Sequence, residues 1–290
     1  MSTPTARRII DWFKANARPL PWREPGTTPW AILLSEVMSQ QTPVARVEPI
    51  WRQWMDRWPT PADLAAAPTA DVLRAWSTLG YPRRALRLQE CARRIVEVHG
   101  GKVPDTVPEL LALPGIGDYT ARAVACFAFG HNVPVVDINV RRVIARAHDG
   151  HYLTPPASKK ELAHAAALLP DDEGPTYSAG IMELGALICT ARVAYCERCP
   201  IEDLCTWVAL GQPSPTEEEL AKAKGRVQKF AGTDRQVRGK IMALLRSAEE
   251  PVSEEQIFAV WPDGAQVSRC LHSLLDDGLA DHNAAGFSLP

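Results

Sequence analysis

The sequence predicts an all-α protein, a long helical region followed by a small helical module. Three observations carry that prediction. Apolar residues recur at helical spacing through most of residues 5–188. No succession of alternating strands interrupts them. Over 212–233 the composition turns to Pro, Glu, Lys and Gly before helical patterning resumes. A chain of 290 residues with 46% hydrophobic and 23% charged content has an ordinary globular composition, and its length favours two domains over one.

The elements follow in order. TARRIIDWFKA (5–15) places Ile9, Ile10 and Phe13 on one helical face, and PWAILLSEVMS (29–39) is a nearly continuous apolar helix with Pro29 suited to its first turn. Helices are expected over 44–57, 61–66, 70–78, 83–99, 107–112 and 118–129 and, after an extended VPVV, over 138–148, 158–168 and 176–188. Residues 207–233 read as a linker. The remaining 57 residues hold helical patterns at Gln236–Ser247, Ser253–Val260 and Ala265–Asp276, then GLADHNAAGFSLP, which suits two short strands around Ala285-Gly286. Three helices and a terminal hairpin predict a small winged helix-turn-helix.

No run of eighteen apolar residues occurs, so no membrane-spanning helix is expected, and Met1 to Ile10 lacks the pattern of a secretion signal. A cytoplasmic protein is the expectation. Twenty-four arginines and eight lysines oppose 34 acidic residues for a net charge of −2, which excludes a large uniform basic surface and requires any nucleic-acid site to be a local patch. Arg83 to Arg94, with five arginines and one acid, is such a patch at a local +4, or an ordinary solvated helix face.

Four of the seven cysteines, Cys189, Cys196, Cys199 and Cys205, fall within seventeen residues at the spacing C-x6-C-x2-C-x5-C. In a reducing compartment such a group is a metal site more often than a disulfide framework. Four thiolates suit either zinc or an iron–sulfur cube. Zinc sites usually pair two C-x2-C knuckles and only one is present, so the wide loop Thr190 to Tyr195 fits the larger cluster better. That loop carries Arg192, a natural phosphate contact. Cys91, Cys126 and Cys270 read as buried, inert thiols.

Three further features carry chemistry. In LPGIGDYTARAVACFAFG (113–130), Gly115 and Gly117 permit a tight interhelical turn with amides exposed at the next helix start, either an ordinary turn or a grip on a phosphate. Asp137, at the end of VPVVD, is placed to cap the helix INVRRVIARA, where the helix-end dipole favours an ionised carboxylate. Glu36 lies among apolar residues of AILLSEVMSQQT. Its pKa should rise there, giving a general acid near neutral pH unless an arginine such as Arg23 pairs with it.

Together RPLPWR (18–23), LLSEVMSQQTPV (33–44), LGYPRRA (79–85), LPGIGDYTARA (113–123), VVDINVRRV (135–143) and MELGALIC (182–189) leading into the cysteine run resemble the helix-hairpin-helix DNA glycosylases of the endonuclease III type. Within them the chain is similar to the MutY-type adenine DNA glycosylases, which act on adenine opposite 8-oxoguanine. Bifunctional members carry a hairpin lysine that forms a Schiff base. Tyr119 stands at that position and no lysine occurs between Lys102 and Lys159, so a monofunctional enzyme is expected. Glu36 followed by Gln40-Gln41-Thr42 points to adenine.

The resemblance implies that Glu36 protonates N7 of the extruded adenine and that Asp137 stabilises the oxocarbenium-like sugar, two carboxylates in unlike environments dividing the work. Tyr119 and Asn139 match residues around the sugar and water. Trp22, Arg23 and Val44, with Arg18, match the adenine-pocket segment, and Gln41 and Tyr81 match residues that wedge into the duplex. Thr42, Leu79, Gly115, Gly117 and Arg192 complete the expected DNA-contacting set. One [4Fe–4S] cluster on the four cysteines, duplex DNA with an adenine:8-oxoguanine mispair as partner, and a monomeric state are implied as well. Ser39, Pro82 and Ile138 depart from the family pattern.

The expected division is an iron–sulfur lobe (1–26 and 138–206), a helical barrel lobe (27–137), the linker and the winged-helix-like module (234–290), with the active site in a groove between Tyr119 and Asp137. The module is too short for the Nudix-like domain of longer relatives, so lesion discrimination is expected to rest mostly on the core. A thymine or uracil mismatch glycosylase on the same scaffold is the rival enzyme reading. A redox-responsive iron–sulfur DNA-binding regulator is the remote one.

Overall fold

The computed structural model describes residues 3–156, 158, 160–224 and 230–290. It is all-α apart from one terminal hairpin, with sixteen α-helices among the described residues. These are α1 (Pro4–Asn16), α2 (Pro29–Ser39), α3 (Val44–Arg57), α4 (Pro61–Ala66), α5 (Thr69–Trp76), α6 (Arg83–His99), α7 (Val107–Leu111), α8 (Asp118–Phe129), α9 (Ile138–Ala147), α10 (Glu161–Leu168), α11 (Gly174–Leu187), α12 (Thr206–Ala209), α13 (Glu217–Lys224), α14 (Asp234–Ser247), α15 (Glu254–Phe258) and α16 (Gly264–Asp276). Strands β1 (Asp281–Asn283) and β2 (Gly286–Ser288) pair antiparallel, and Val252 bridges to Phe287 beside them. The expected helices are present with ends shifted by a few residues, and the three helices with a hairpin follow the order of a winged helix. No helix among the described residues is long and apolar enough to cross a membrane.

One departure is informative. The expected linker contains α13, because Thr216 and Glu219 form a reciprocal cap: the Thr216 amide donates to the Glu219 carboxylate at 2.8 Å and the Glu219 amide to the Thr216 hydroxyl at 3.2 Å. Residues 225–229 of that linker, and Lys159 at the expected start of the tenth helix, lie outside the described residues.

The chain divides into two compact units. The first comprises Met1–Pro29, Asp105–Leu110 and Gly117–Val227, the second Trp30–Pro104, Leu111–Ile116 and Gln228–Pro290. The C-terminal helices therefore group with the barrel helices. In the second unit, Trp54 stacks edge-on against Trp58 and Trp76 at 4.9 and 5.6 Å. The indole N–H groups of Trp30, Trp51, Trp54 and Trp76 all donate to backbone carbonyls at 2.8–3.1 Å, so these rings bury their apolar bodies without orphaning a donor.

In the first unit α11 packs against α1 and α9. Two glycines allow the approach. A Cβ on Gly180 would lie 2.9 Å from Ile9 Cγ2, and one on Gly185 would lie 2.7 Å from the Asn139 Cβ and 2.9 Å from its carbonyl oxygen. Neither neighbour is the loose end of a long side chain, so the helices themselves would have to part. Gly185→Ala should accordingly cost about 1–3 kcal/mol by overpacking. Thermal unfolding of that variant, with base-release rates alongside, should show both losses, because the displaced residue is Asn139.

Candidate active site

Asp137 is the N-cap of α9. Its Oδ1 accepts the Val140 amide at 2.7 Å and its Oδ2 accepts the Asn139 side-chain amide at 2.7 Å. The Asn139 side-chain carbonyl accepts in turn from Arg142 at 2.7 Å, which fixes which way the amide points. Arg142 is buried and also donates to the carbonyls of Gly185 and Cys189 at 2.6 and 2.7 Å. The cap expected from sequence is therefore real and belongs to a longer chain of donors. Burial pushes the Asp137 carboxyl above its ordinary pKa. The bonds from Val140 and Asn139 and the Arg142 charge act the other way and offset only part of that rise. Ile138, beside it, is 57% exposed.

Glu36 occupies the middle of α2. Every other residue from Trp30 to Met38 is buried, and Glu36 alone is half-buried, so its carboxylate emerges from an apolar helix. Tyr119 lies in the first turns of α8 and packs against the small core of Ala123, Cys126 and Val135. In the hairpin before α8, Gly115 has φ +76° and a Cβ there would meet Arg87 Cβ at 2.8 Å. Gly117 has open space around it and negative φ. Only Gly115 is required by the backbone.

The two expected wedge residues share a property the sequence did not show. Gln41 and Tyr81 both sit in the left-handed region, at φ 54° and 47°, and both are exposed. Non-glycine residues hold that conformation only where neighbours over-determine it. Here the neighbour is Arg84. One terminal nitrogen donates to the carbonyls of Val37, Met38 and Gln40 at 2.8–3.2 Å, at the C-terminal end of α2 and just past it. The other donates to the Thr42 hydroxyl and to the carbonyls of Leu79 and Gly80 at 3.0–3.1 Å. Thr42, itself buried, adds a bond to the Leu79 carbonyl at 3.1 Å. Burial lowers the Arg84 pKa to about 10, which still leaves the guanidinium charged at neutral pH. Leu79 is only 3% exposed, so its side chain belongs to the core and its carbonyl does the linking. Val44 opens α3, half-buried.

Arg18 and Arg23 converge on Glu183 of α11. The Arg18 amide and guanidinium donate to the carboxylate at 2.7–3.0 Å and Arg23 donates at 3.1 Å; Trp22, next to Arg23 in the chain, is half-buried. Glu183 is 1% exposed. Burial alone would raise its pKa, but the hydrogen bonds from Arg18 and Arg23 outweigh that and hold it at about 2.

The four cysteines of the expected cluster line one pocket together with Val143, Ile188 and Trp207. No disulfide forms, and among the described residues no group of three or more His, Cys, Asp or Glu is close enough to hold a single ion. Burial pushes the Cys199 thiol up to about 12 and the Cys196 thiol up as well, so a metal centre must displace their protons on binding. Arg146, 1% exposed, donates to Cys189 Sγ at 3.3 Å and the Thr190 carbonyl at 2.9 Å, with its guanidinium 4.2 Å from the Tyr152 ring centre. Arg192 is exposed on the same loop. Cys91, Cys126 and Cys270 are buried, as expected.

Residues 34–169 match the HhH-GPD family, described as HhH-GPD superfamily base excision DNA repair protein. The adenine DNA glycosylase of Mycolicibacterium smegmatis is 54% identical over 280 residues, 96% of this chain and 93% of that one. The chain belongs to the adenine DNA glycosylase family. A Mycobacterium tuberculosis adenine DNA glycosylase is 51% identical over 97% of this chain and 92% of its own. A solved thermostable thymine-DNA glycosylase superposes with a TM-score of 0.65 at 30% identity, covering 71% of this chain and 95% of that one.

Four residues of this adenine DNA glycosylase family member escaped sequence reasoning: Glu183, Arg84, Arg142 and Arg146. The last two stand four apart on α9, a spacing that puts both on one face, and that was the one usable signal. For Glu183 the clamp is testable. Its stabilising effect is full above about pH 4.5 and is lost as pH falls from there through about 2. Glu183→Gln should lose about 2–3 kcal/mol at pH 7, less than a fully buried pair because both arginines keep some solvent. The gap between variant and wild-type melting should close over that acid range.

Proposed function

We propose that the chain is a monofunctional adenine DNA glycosylase, hydrolysing the bond between adenine N9 and the sugar C1′ where adenine stands opposite 8-oxoguanine or guanine in duplex DNA. The observation that carries this reading is the Asp137 carboxylate, capped at the start of α9 and oriented by Asn139, in a chain far more similar to the mycobacterial adenine enzymes than to the thymine enzyme.

The chemistry follows from the leaving group. Adenine leaves as a poor anion unless protonated. Glu36, emerging from its apolar helix, donates a proton to N7 of the extruded base, and the C1′–N9 bond breaks with its electron pair going to neutral adenine. Positive charge then collects on C1′ and the ring oxygen. Asp137, fixed before the reaction starts, stabilises it without reorganising. Water adds at C1′, its proton passes to the Glu36 carboxylate left by the first step or to solvent, and an abasic sugar remains. Tyr119 offers no amine where a lysine would form a Schiff base, so the strand stays intact. Gln41 and Tyr81 enter the duplex to replace the lost stacking. By the family resemblance Trp22 and Val44 belong to the segments that receive the base, and the amides at Gly115 and Gly117 hold a backbone phosphate.

The four thiols and their pocket fit a [4Fe–4S] cluster, held by Cys189, Cys196, Cys199 and Cys205. Such a cluster would staple the loop from Thr190 to Tyr195 to the end of α11 and the start of α12. It takes no part in the hydrolysis. Purified protein should carry about four irons per chain, and Cys199→Ser should lower solubility and iron content together. One zinc and no sulfide would overturn the assignment.

The decisive assay offers duplexes with A opposite 8-oxoguanine, A opposite guanine, T opposite G and U opposite G. Release of adenine alone is expected. Asp137→Asn should abolish release while lesion-DNA binding persists, since it removes charge and keeps size. The sign of the pKa shift adds a second expectation. The folded carboxyl holds its proton more tightly than the unfolded one, so its contribution to stability falls as pH rises from the ordinary Asp range through the raised value. The anion needed at neutral pH is thus held against the fold's preference. The acid limb of the single-turnover rate should lie above the ordinary Asp pKa.

A further inference from the structure

The C-terminal helices reach the candidate wedge. Arg235, in the first turn of α14, donates to the Tyr81 phenol oxygen at 2.8 Å, with its guanidinium 5.9 Å from the Tyr81 ring centre and 4.9 Å from that of Phe230. Two residues beyond Tyr81, Arg83 pairs at 3.2 Å with Asp277, the C-cap of α16. Asp277 is held in turn by Arg238 of α14 at 2.6 Å, and Arg238 also bonds the Ser273 hydroxyl. The residues on both sides of Pro82 are therefore tied to the module, which packs its own apolar core between α14 and α16 and sets α14 against α5.

We propose that the module is part of the lesion-reading apparatus, and that Arg235 is a positioning residue that holds the Tyr81 ring in one orientation. The proposal rests on the reading of Tyr81 as a side chain that enters the duplex. A ring 46% exposed on a left-handed backbone would otherwise sample several rotamers, and all but one would be lost on insertion. Arg84 fixes the backbone beneath Tyr81, while Arg235 fixes its far end. The preference for 8-oxoguanine over guanine, expected from the sequence to rest mostly on the core, then depends also on a residue outside it.

The test uses the full chain and single-turnover base release from A opposite 8-oxoguanine and A opposite guanine. Arg235→Met and Tyr81→Phe each delete the bond and keep the bulk, and each should lower the ratio of the two rates by about fivefold. The double variant should fall no further than either single one, undamaged-duplex affinity should hold in Arg235→Met, and Arg235→Lys should restore part of the ratio. A wild-type ratio in Arg235→Met, or effects that multiply in the double variant, would overturn the coupling, the latter because Arg235 would then act on DNA by itself. Tyr81→Ala reports separately on the wedge. If the ratio survives that change, the reading of Tyr81 fails, and if it collapses while Arg235→Met is silent, only the coupling fails.

Discussion

The Asp137 carboxyl is fixed at the start of α9, and much of the first unit is arranged to hold it there. Asp137 takes one bond from the helix it caps and one from Asn139, Asn139 is fixed by Arg142, and Arg142 is anchored on the carbonyls of Gly185 and Cys189. Each step depends on the one behind it. The close approach of α9 to α11 at Gly185 is what lets Arg142 reach that carbonyl, and the turn into the cysteine loop supplies the other acceptor. The position of the carboxylate is thus set by helix packing and not by its own short side chain alone. Burial makes the anion costly, and this framework of donors holds it in place nonetheless.

Arginine performs the same task three times. Arg84 gathers the carbonyl end of α2 and the loop before α6, Arg142 ties α9 to α11, and Arg146 ties α9 to the cysteine loop. A guanidinium has five donors in a rigid plane, so one side chain can satisfy several orphaned carbonyls from segments distant in sequence, which a lysine ammonium does less well. Loops that must display strained residues, as at Gln41 and Tyr81, are held this way from beneath.

The helices were legible because each has a clean apolar stripe and recognisable ends, and the motifs named Glu36, Asp137 and the cysteines because their order along the chain is so specific. What the sequence hid is long-range pairing. Nothing in RPLPWR says that its two arginines meet Glu183, 160 and more residues away. Leu79 was placed among the DNA contacts because it sits in a motif, while the fold uses its carbonyl and buries its side chain. The strain at Gln41 and Tyr81 is a backbone property that no residue type announces. The helix at Glu217–Lys224 was missed for a simpler reason: its capping box was present in the residues, but the surrounding composition pointed to a linker.

The same inward use of arginine changes what charge says about DNA binding. The run from Arg83 to Arg94 carries a formal +4, yet Arg84 is turned into the protein, Arg83 is paired with Asp277, and Arg93 reaches the Ala65 carbonyl at 3.4 Å. Elsewhere Arg18, Arg23, Arg142 and Arg146 are committed to internal acceptors too. Counting arginines therefore overstates the phosphate-binding surface, and a weakly acidic total does not argue against it. A duplex meeting that run would find fewer free cations than its five arginines suggest. Its affinity should owe less to counterion release than that of a basic binding protein, and its selectivity more to the shape that those internal arginines impose.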